Sequence, residues 1–311
     1  MGEPKMGQMV VDGNSTLSKQ NTVGLIGVGL MGHGIALNVQ KHGWPLAFLG
    51  HPGNQPVADL LEAGAKGCSS VREMTEACNV IILCVTGTPQ IEAIFAGEVG
   101  LLANIRPDTI IIDCSTALPK STIALAQKVA DAGGTMLDAP MTRTAKEAAE
   151  GRLNLIVGGD RQVFDHVQPL LGAFAENISY AGASGAGHKM KLLHNYVSLG
   201  FLAVLGEAAA SARLGGVEPE IFTEILGAGG GASTALERMK PYILEGDKSG
   251  LPFSIANACK DIGYYLQMAD DLGAVKSGAE GLVATYEEAL ANSDEGAYVP
   301  EIVEILSRKK T

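Results

Sequence analysis

Two residues four apart, Lys191 and Asn195, bring an ammonium and a hydrogen-bonding amide to the start of the long apolar helix expected from about His188 to Leu214. On a helix that spacing puts both on one face. A lysine near the start of an apolar helix is costly to bury without a partner or a task. Taken alone, the pair reads as a solvated helix face, and what precedes it changes that reading. Far upstream, Gly27-Val28-Gly29-Leu30-Met31-Gly32 follows the apolar run Thr22–Ile26 and opens the apolar-periodic stretch Ile35–Val39. Strand, glycine turn, helix is the context in which this pattern binds a dinucleotide. One glycine makes the turn, the second admits the pyrophosphate and the third lets helix and strand pack closely. The free N–H groups of the helix start then face the phosphates.

The elements that must position these residues alternate. Strands are expected at Leu46–Leu49, Val80–Val85, Thr109–Asp113, Met136–Pro140, Leu153–Val157 and Ile178–Tyr180, with helices between them. Repeated βα units over residues 21–183 indicate a Rossmann-type doubly wound parallel sheet in an α/β fold. Ligands of such sheets bind outside the carboxyl ends of the strands. That rule makes Val85, Thr86 and Gln90 candidates for cofactor contact, and it puts Ser115, Thr116, Thr142, Arg143 and Thr144 at the same edge. The second strand runs into Gly50-His51, where an NAD site usually carries an acid for the ribose. With no carboxylate to repel a 2′-phosphate and a histidine able to donate to one, NADP is the expected cofactor, with NAD not excluded. From residue 184 to 311 no strand signal recurs. Six helical stretches, the first long and rich in Gly and Ala, make an all-α second domain for substrate and self-association. Residues 1–20 are polar, without the apolar core of a signal peptide, and are expected to be a disordered tail.

With 311 residues, 46% apolar and 18% charged, the chain has material for two domains and a substantial core. The net charge of −11 makes nucleic acid and anionic membrane poor partners. Five cysteines without a CxxC or a histidine pairing suggest a reducing, cytoplasmic setting and no metal site.

The chain resembles the β-hydroxyacid dehydrogenases, a family that includes 3-hydroxyisobutyrate dehydrogenase, tartronate semialdehyde reductase and sulfolactaldehyde reductase. The resemblance rests on Gly27–Gly32, Asp113-Cys-Ser-Thr116 with Pro119, Asp138-Ala-Pro140, Gly185-Ala-Gly-His-Lys-Met-Lys191 with Asn195, and Lys260-Asp261, in that order. It implies an NAD(P)-dependent enzyme that interconverts a small anionic 3-hydroxy acid and its semialdehyde in a cleft between the two domains. By resemblance Lys191 is the general acid/base, Asn195 positions substrate beside it, and Ser115 and Thr116 lie near nicotinamide and substrate. Lys260 closes over the cofactor. Burial and a nearby nicotinium would lower such a lysine toward neutrality. Independently of the resemblance, the long apolar helix with small residues is expected to pack within its own fold or against a second copy, which makes a homo-oligomer, dimer or tetramer, the expected assembly.

One departure bears on the substrate. Many members read Val-Ser-Gly-Gly where this chain has Met141-Thr142-Arg143-Thr144, which is similar to the Gly-Arg-Thr of sulfolactaldehyde reductases. An arginine offers a planar fork for an oxyanion. That subgroup also uses an Asn just before the shared Asn, and a Ser four residues after it. This chain keeps Ser198 and has His194 in place of the Asn. Arg143, Ser198 and His194 are therefore expected to hold the anionic group, carboxylate or sulfonate. Two alternatives share the fold. An imine reductase usually replaces the lysine by Asp or Tyr, and a non-catalytic dinucleotide-binding interaction protein typically loses it.

Overall fold

Apolar β-branched runs build the sheet of the first unit. The computed structural model describes residues 16–308. Most of the expected 1–20 tail lies outside the described residues, but Leu17 is buried and its N–H donates to the His166 carbonyl at 2.9 Å. Order therefore begins before Asn21, the expected start. Strands β1 (Val23–Ile26), β2 (Leu46–Leu49), β3 (Lys66–Cys68), β4 (Val80–Leu83), β5 (Ile110–Asp113) and β6 (Thr135–Asp138) pair in parallel in the order 3-2-1-4-5-6. Between them run α1 (Leu30–Lys41), α2 (Ala58–Glu62), α3 (Val71–Ala77), α4 (Thr88–Phe95), α5 (Leu101–Asn104) and α6 (Pro119–Asp131). Strand side chains alternate between faces, and the core divides accordingly. Val23, Leu25, Val80, Ile82, Ile110 and Ile112 enter one cluster, and Ile26, Ile81, Leu83 and Ile111 enter the other. The β3 strand was not legible as an apolar run, since it reads Lys66-Gly-Cys68 and pairs only with β2.

The sheet is mostly parallel, and it departs from full parallelism after β6. The chain reverses at once through β7 (Met141–Thr142) and α7 (Ala145–Ala149), so β8 (Leu153–Gly158) returns antiparallel to β6 and β7. Helix α8 (Arg161–Leu171) then leads to β9 (Ala175–Gly182), parallel to β8.

The register aligns Ile26, Leu83, Asp113 and Asp138 across β1, β4, β5 and β6. Their carboxyl ends thus form one edge. Strand order reverses direction between β1 and β4, the position where open α/β sheets leave a crevice.

Helix α9 (Ala186–Leu214) follows, and within it one compact unit ends at Lys191 and a second begins at Leu192. The sequence places the domain boundary at 183/184, before this helix. Its first turn is bonded to the sheet edge, so those residues go with the first unit. The second unit contains α10 (Pro219–Ala228), α11 (Thr234–Glu245), α12 (Ile255–Leu272), α13 (Ser277–Ala291) and α14 (Ile302–Ser307). Leu202, Ala203, Met239, Ile255, Ile262, Tyr286 and Ile302 share its core. Gly206 lets Ile302 approach, since a Cβ there would sit 2.1 Å from Ile302 Cγ2.

Candidate active site

The glycine turn separates into residues the fold needs and one it does not. Gly27 has φ +96°, and a Cβ on it would lie 2.2 Å from the Cys84 carbonyl oxygen. A Cβ on Gly32 would meet the Gly27 oxygen at 2.0 Å. Both are required by the packing of α1 on β1 and β4. Gly29 differs: it has an ordinary φ of −78°, and among the described residues nothing lies within 4 Å of its would-be Cβ. The open space beside Gly29 fits a ligand approaching the backbone. Among the described residues no side chain caps α1, and its first turn holds no acid, which leaves its N-terminal N–H groups suited to a pyrophosphate. Val28, Leu30 and Met31 belong to this cradle, with Val28 buried and Leu30 exposed.

Asn54 holds the cradle to the end of β2. Its Oδ1 accepts from Val28 N at 3.3 Å, and its Nδ2 donates to the Leu49 carbonyl at 3.0 Å. Sequence reasoning missed this residue, because a loop Asn carries no periodic signal. Gly50 and His51 beside it are exposed, and His51 Nδ1 accepts from Gly53 N at 3.0 Å. An accepting Nδ1 puts the ring proton on Nε2, the donor a phosphate could use.

Further along the edge, Ser115 is buried and its Oγ accepts from Val85 N at 3.0 Å, so the ends of β4 and β5 are tied together. Thr116 is half-buried, and Thr86 and Gln90 are exposed. Ser115 N in turn donates to Asp113 Oδ1 at 3.0 Å. Asp113 is fully buried, its Oδ2 has no hydrogen-bond partner among the described residues, and burial raises its carboxyl above the usual range despite the opposing pull of His188.

Asp138 has a role that the motif alone did not disclose. Its carboxylate accepts from Gly185 N and from His188 N, each at 2.8 Å. A side chain from β6 thus caps the start of α9, where unpaired N–H groups and the helix dipole favour a negative charge. Gly187 makes the close approach possible, since a Cβ there would sit 2.4 Å from the Ile156 oxygen. This is the physical content of the Gly185-Ala-Gly187 segment before Lys191. Lys191, half-buried, comes one turn after His188.

Because α9 is unbroken, Asn195 lies one turn beyond Lys191 on the same face. In the second unit the Asn195 side chain is buried, and its Nδ2 donates to Asp261 Oδ2 at 2.6 Å. His194 Nδ1 donates to Asn195 Oδ1 at 3.1 Å. The other oxygen of Asp261, buried, is 3.3 Å from Lys260 Nζ without hydrogen-bond geometry, and the ammonium also lies 5.8 Å from the Tyr264 ring. Asp261 was read only as part of a marker, yet it sets the Asn195 amide. Ser198 Oγ donates weakly to the Asn195 carbonyl at 3.5 Å.

The residues after β6 stand differently from the expectation. The Arg143 guanidinium pairs with Glu176 Oε2 at 2.5 Å and also donates to the Arg152 carbonyl. The expectation that it needs a substrate anion assumed no partner within the fold; Glu176, from distant β9, supplies one. Its backbone has φ +82°, a conformation that favours glycine. Thr144 is used locally: its N–H and hydroxyl both donate to Glu147 Oε2, at 3.0 and 2.6 Å, in a capping box. Thr142 Oγ1 accepts from Asn154 Nδ2 at 3.0 Å, which leaves its own O–H to donate. Among the described residues no group of three or more His, Cys, Asp or Glu side chains could hold a metal ion.

Comparison with known proteins adds to this geometry. Residues 22–182 match the NAD-binding domain of 6-phosphogluconate dehydrogenase, and residues 185–306 match the NAD-binding domain of NADP-dependent 3-hydroxyisobutyrate dehydrogenase. The chain is 32% identical to 2-(hydroxymethyl)glutarate dehydrogenase of Eubacterium barkeri over 81% of its own length and 83% of that protein's. With 2-hydroxy-3-oxopropionate reductase of Escherichia coli it shares 33% identity over 80% and 85% of the two chains. Among solved structures, 3-hydroxyisobutyrate dehydrogenase of Mycobacterium tuberculosis with L-serine superposes with a TM-score of 0.82 at 23% identity, covering 93% of this chain and 99% of that one. At that identity the likeness is one of fold.

Proposed function

The chain belongs to the β-hydroxyacid dehydrogenase family and is an NAD(P)-dependent oxidoreductase, and from that premise we propose that it interconverts a small 3-hydroxy carboxylic acid and its semialdehyde with Lys191 as the general acid/base. The observation that carries this reading is the Asp138 cap. It holds the helix start bearing Lys191 against the same strand edge that presents the open space at Gly29. The relatives named above act on carboxylic acids with a hydroxyl or aldehyde nearby. That supports a carboxylate in preference to a sulfonate.

The dinucleotide, when bound, accepts or supplies the hydride. Gly27–Gly32 and the N-terminus of α1 would hold its pyrophosphate, and Gly50, His51, Val85, Thr86, Gln90, Thr116 and Lys260 are the further residues that would bind it. Absence of an acid at Gly50-His51 favours NADP(H). In the oxidative direction Lys191 Nζ takes the hydroxyl proton as the carbon gives up hydride; in reduction it returns the proton to the forming alkoxide. Asn195, its amide set by Asp261, hydrogen-bonds the reacting oxygen. Ser115, Thr142, His194 and Ser198 meet the acid group, with Thr142 free to donate and Arg143 neutralised by Glu176. Turnover of a panel of 3-hydroxy acids and their amides with each cofactor tests the proposal. Equal rates for acids and amides would refute the anionic substrate.

We also propose that the protein self-associates through α9. Leu193, Val197, Phe201 and Val204 recur every three or four residues and are 43–62% exposed. A stripe of this kind on water is destabilising unless covered. The helix is long and apolar enough to cross a membrane by length and composition alone. Its start, however, is bonded to the sheet, which supports a protein–protein role. Sedimentation equilibrium of wild type and Phe201→Glu checks this. The five unpaired cysteines support a reducing, cytoplasmic compartment.

A further inference from the structure

Among the buried ionisable side chains that the catalytic reading leaves unused, His188 touches the most of the site. His188 is fully buried in the first turn of α9, between the ends of β5 and β6. Its Nε2 lies 3.1 Å from the Ser115 carbonyl oxygen, and its Nδ1 lies 2.8 Å from Thr122 Oγ1 on α6. A carbonyl can only accept, so Nε2 carries a proton and donates. The charged groups around the ring are Asp113 Oδ2 at 4.0 Å and Asp138 Oδ2 at 3.9 Å. The backbone N–H of the same residue is the one Asp138 accepts.

A buried polar side chain is expensive unless it is satisfied, and an apolar residue would fill this space at less cost. What the imidazole adds is a link. Its backbone is fixed to β6 through Asp138, and its ring is fixed to the turn after β5 through the Ser115 carbonyl. That turn carries Ser115 and Thr116, and the helix carries Lys191 one turn later. Hydride and proton transfer require the two to keep their spacing to within a fraction of an ångström, since a misplacement of about 1 Å can cost 10²-fold in rate. We propose that His188 is a positioning residue for the dehydrogenase reaction, which locks the Ser115-Thr116 turn to the helix start bearing Lys191 through its Nε2–H···O=C bond to Ser115. The proposal rests on the site reading above.

Side-chain length provides the test. Glutamine places an amide N–H where Nε2 stands and can donate to the Ser115 carbonyl. Asparagine reaches only as far as Nδ1, so it can meet Thr122 but not Ser115. With whichever hydroxy acid wild type turns over fastest, and rates normalised to NADPH-binding sites, His188→Gln should keep kcat within about threefold. His188→Asn should lose about 10- to 100-fold in kcat, with KM for the acid changed less than about threefold. A merely structural role would lower the thermal midpoint and the number of binding sites without this split or this rescue. Full kcat per site in His188→Asn, or equal losses in both variants, overturns the proposal. Should His188→Asn not fold, Thr122→Val carries the test by releasing Nδ1 and letting the ring pivot. A three- to tenfold fall in kcat is then expected, on the order that a lost neutral hydrogen bond produces, and unchanged kcat overturns the proposal. Lys191→Ala made in parallel separates the two readings. Retained activity there refutes the site assignment itself, whereas its loss alongside a fully active His188→Asn refutes only the role of His188.

Discussion

Replacing Arg143 separates two roles that an arginine at a strand edge can have. Wild type carries a residue with a side chain at φ +82°, a conformation costing about 1–2 kcal/mol for a non-glycine. Against this stand the donation to the Arg152 carbonyl, about 1 kcal/mol, and the pair with Glu176. The two side chains of that pair are 25% and 45% exposed, so solvent screening holds it to about 0–1 kcal/mol. Arg143→Met keeps the strain and loses both contacts, and should be destabilised by about 1–2 kcal/mol. Arg143→Gly loses the same contacts and relieves the strain. It should be more stable than the Met variant by about 0.5–1.5 kcal/mol after the entropy of glycine is charged. That is a Tm difference of a few degrees, at roughly 2–4 °C per kcal/mol for a domain of this size. Because Glu176 already neutralises the guanidinium, KM for the hydroxy acid should change less than about threefold in both variants. Had the arginine bound the carboxylate, losing a charged hydrogen bond of about 1.5–3 kcal/mol would raise KM about 10- to 150-fold. Differential scanning calorimetry and steady-state kinetics on the two variants suffice. A tenfold or larger rise in KM, selective for the acid over its amide, would refute the reasoning and return Arg143 to the substrate.

Lys191→Ala should lower kcat by about 10²- to 10⁴-fold with little change in NADPH affinity, and near-normal kcat would remove the lysine from the mechanism. Gly50→Asp should shift kcat/KM toward NAD(H) by repelling a 2′-phosphate; the nearest atom to a Cβ there is the Cys68 oxygen at 3.4 Å, so the change fits, and a wild type already favouring NAD(H) would contradict the premise. Asp261→Asn removes the charge that holds the Asn195 amide at 2.6 Å and should cost about tenfold in kcat; unchanged kcat would make that bond incidental. Gly29→Ala should leave Tm nearly unchanged, since among the described residues nothing lies within 4 Å, and raise the cofactor Kd at least about tenfold, whereas Gly32→Ala should lose stability outright. Equal cofactor Kd values in Gly29→Ala and wild type, by fluorescence titration, would empty the cradle of its function.

Periodicity and turn chemistry, which act over a few residues, made the sheet-and-helix order and the glycine cradle legible in the sequence alone. Val23–Ile26 followed by Gly27 reads as a strand meeting a turn wherever it occurs, and the apolar runs of β4 and β5 announce burial on both faces. The Lys191–Asn195 spacing likewise needed only the pitch of a helix. What tertiary structure decided are pairings between residues far apart in the chain. Glu176 meets Arg143 across 33 positions, Asp138 meets His188 across 50 and Asp261 meets Asn195 across 66. No local pattern encodes such a partner, because each depends on how strands and helices close in space. A charged side chain takes its meaning from what neutralises it. Arg143 read as a receptor for substrate alone, and β9 brings a carboxylate to it as a second partner, while Asp138 and His188 looked like motif letters until the start of α9 met the end of β6.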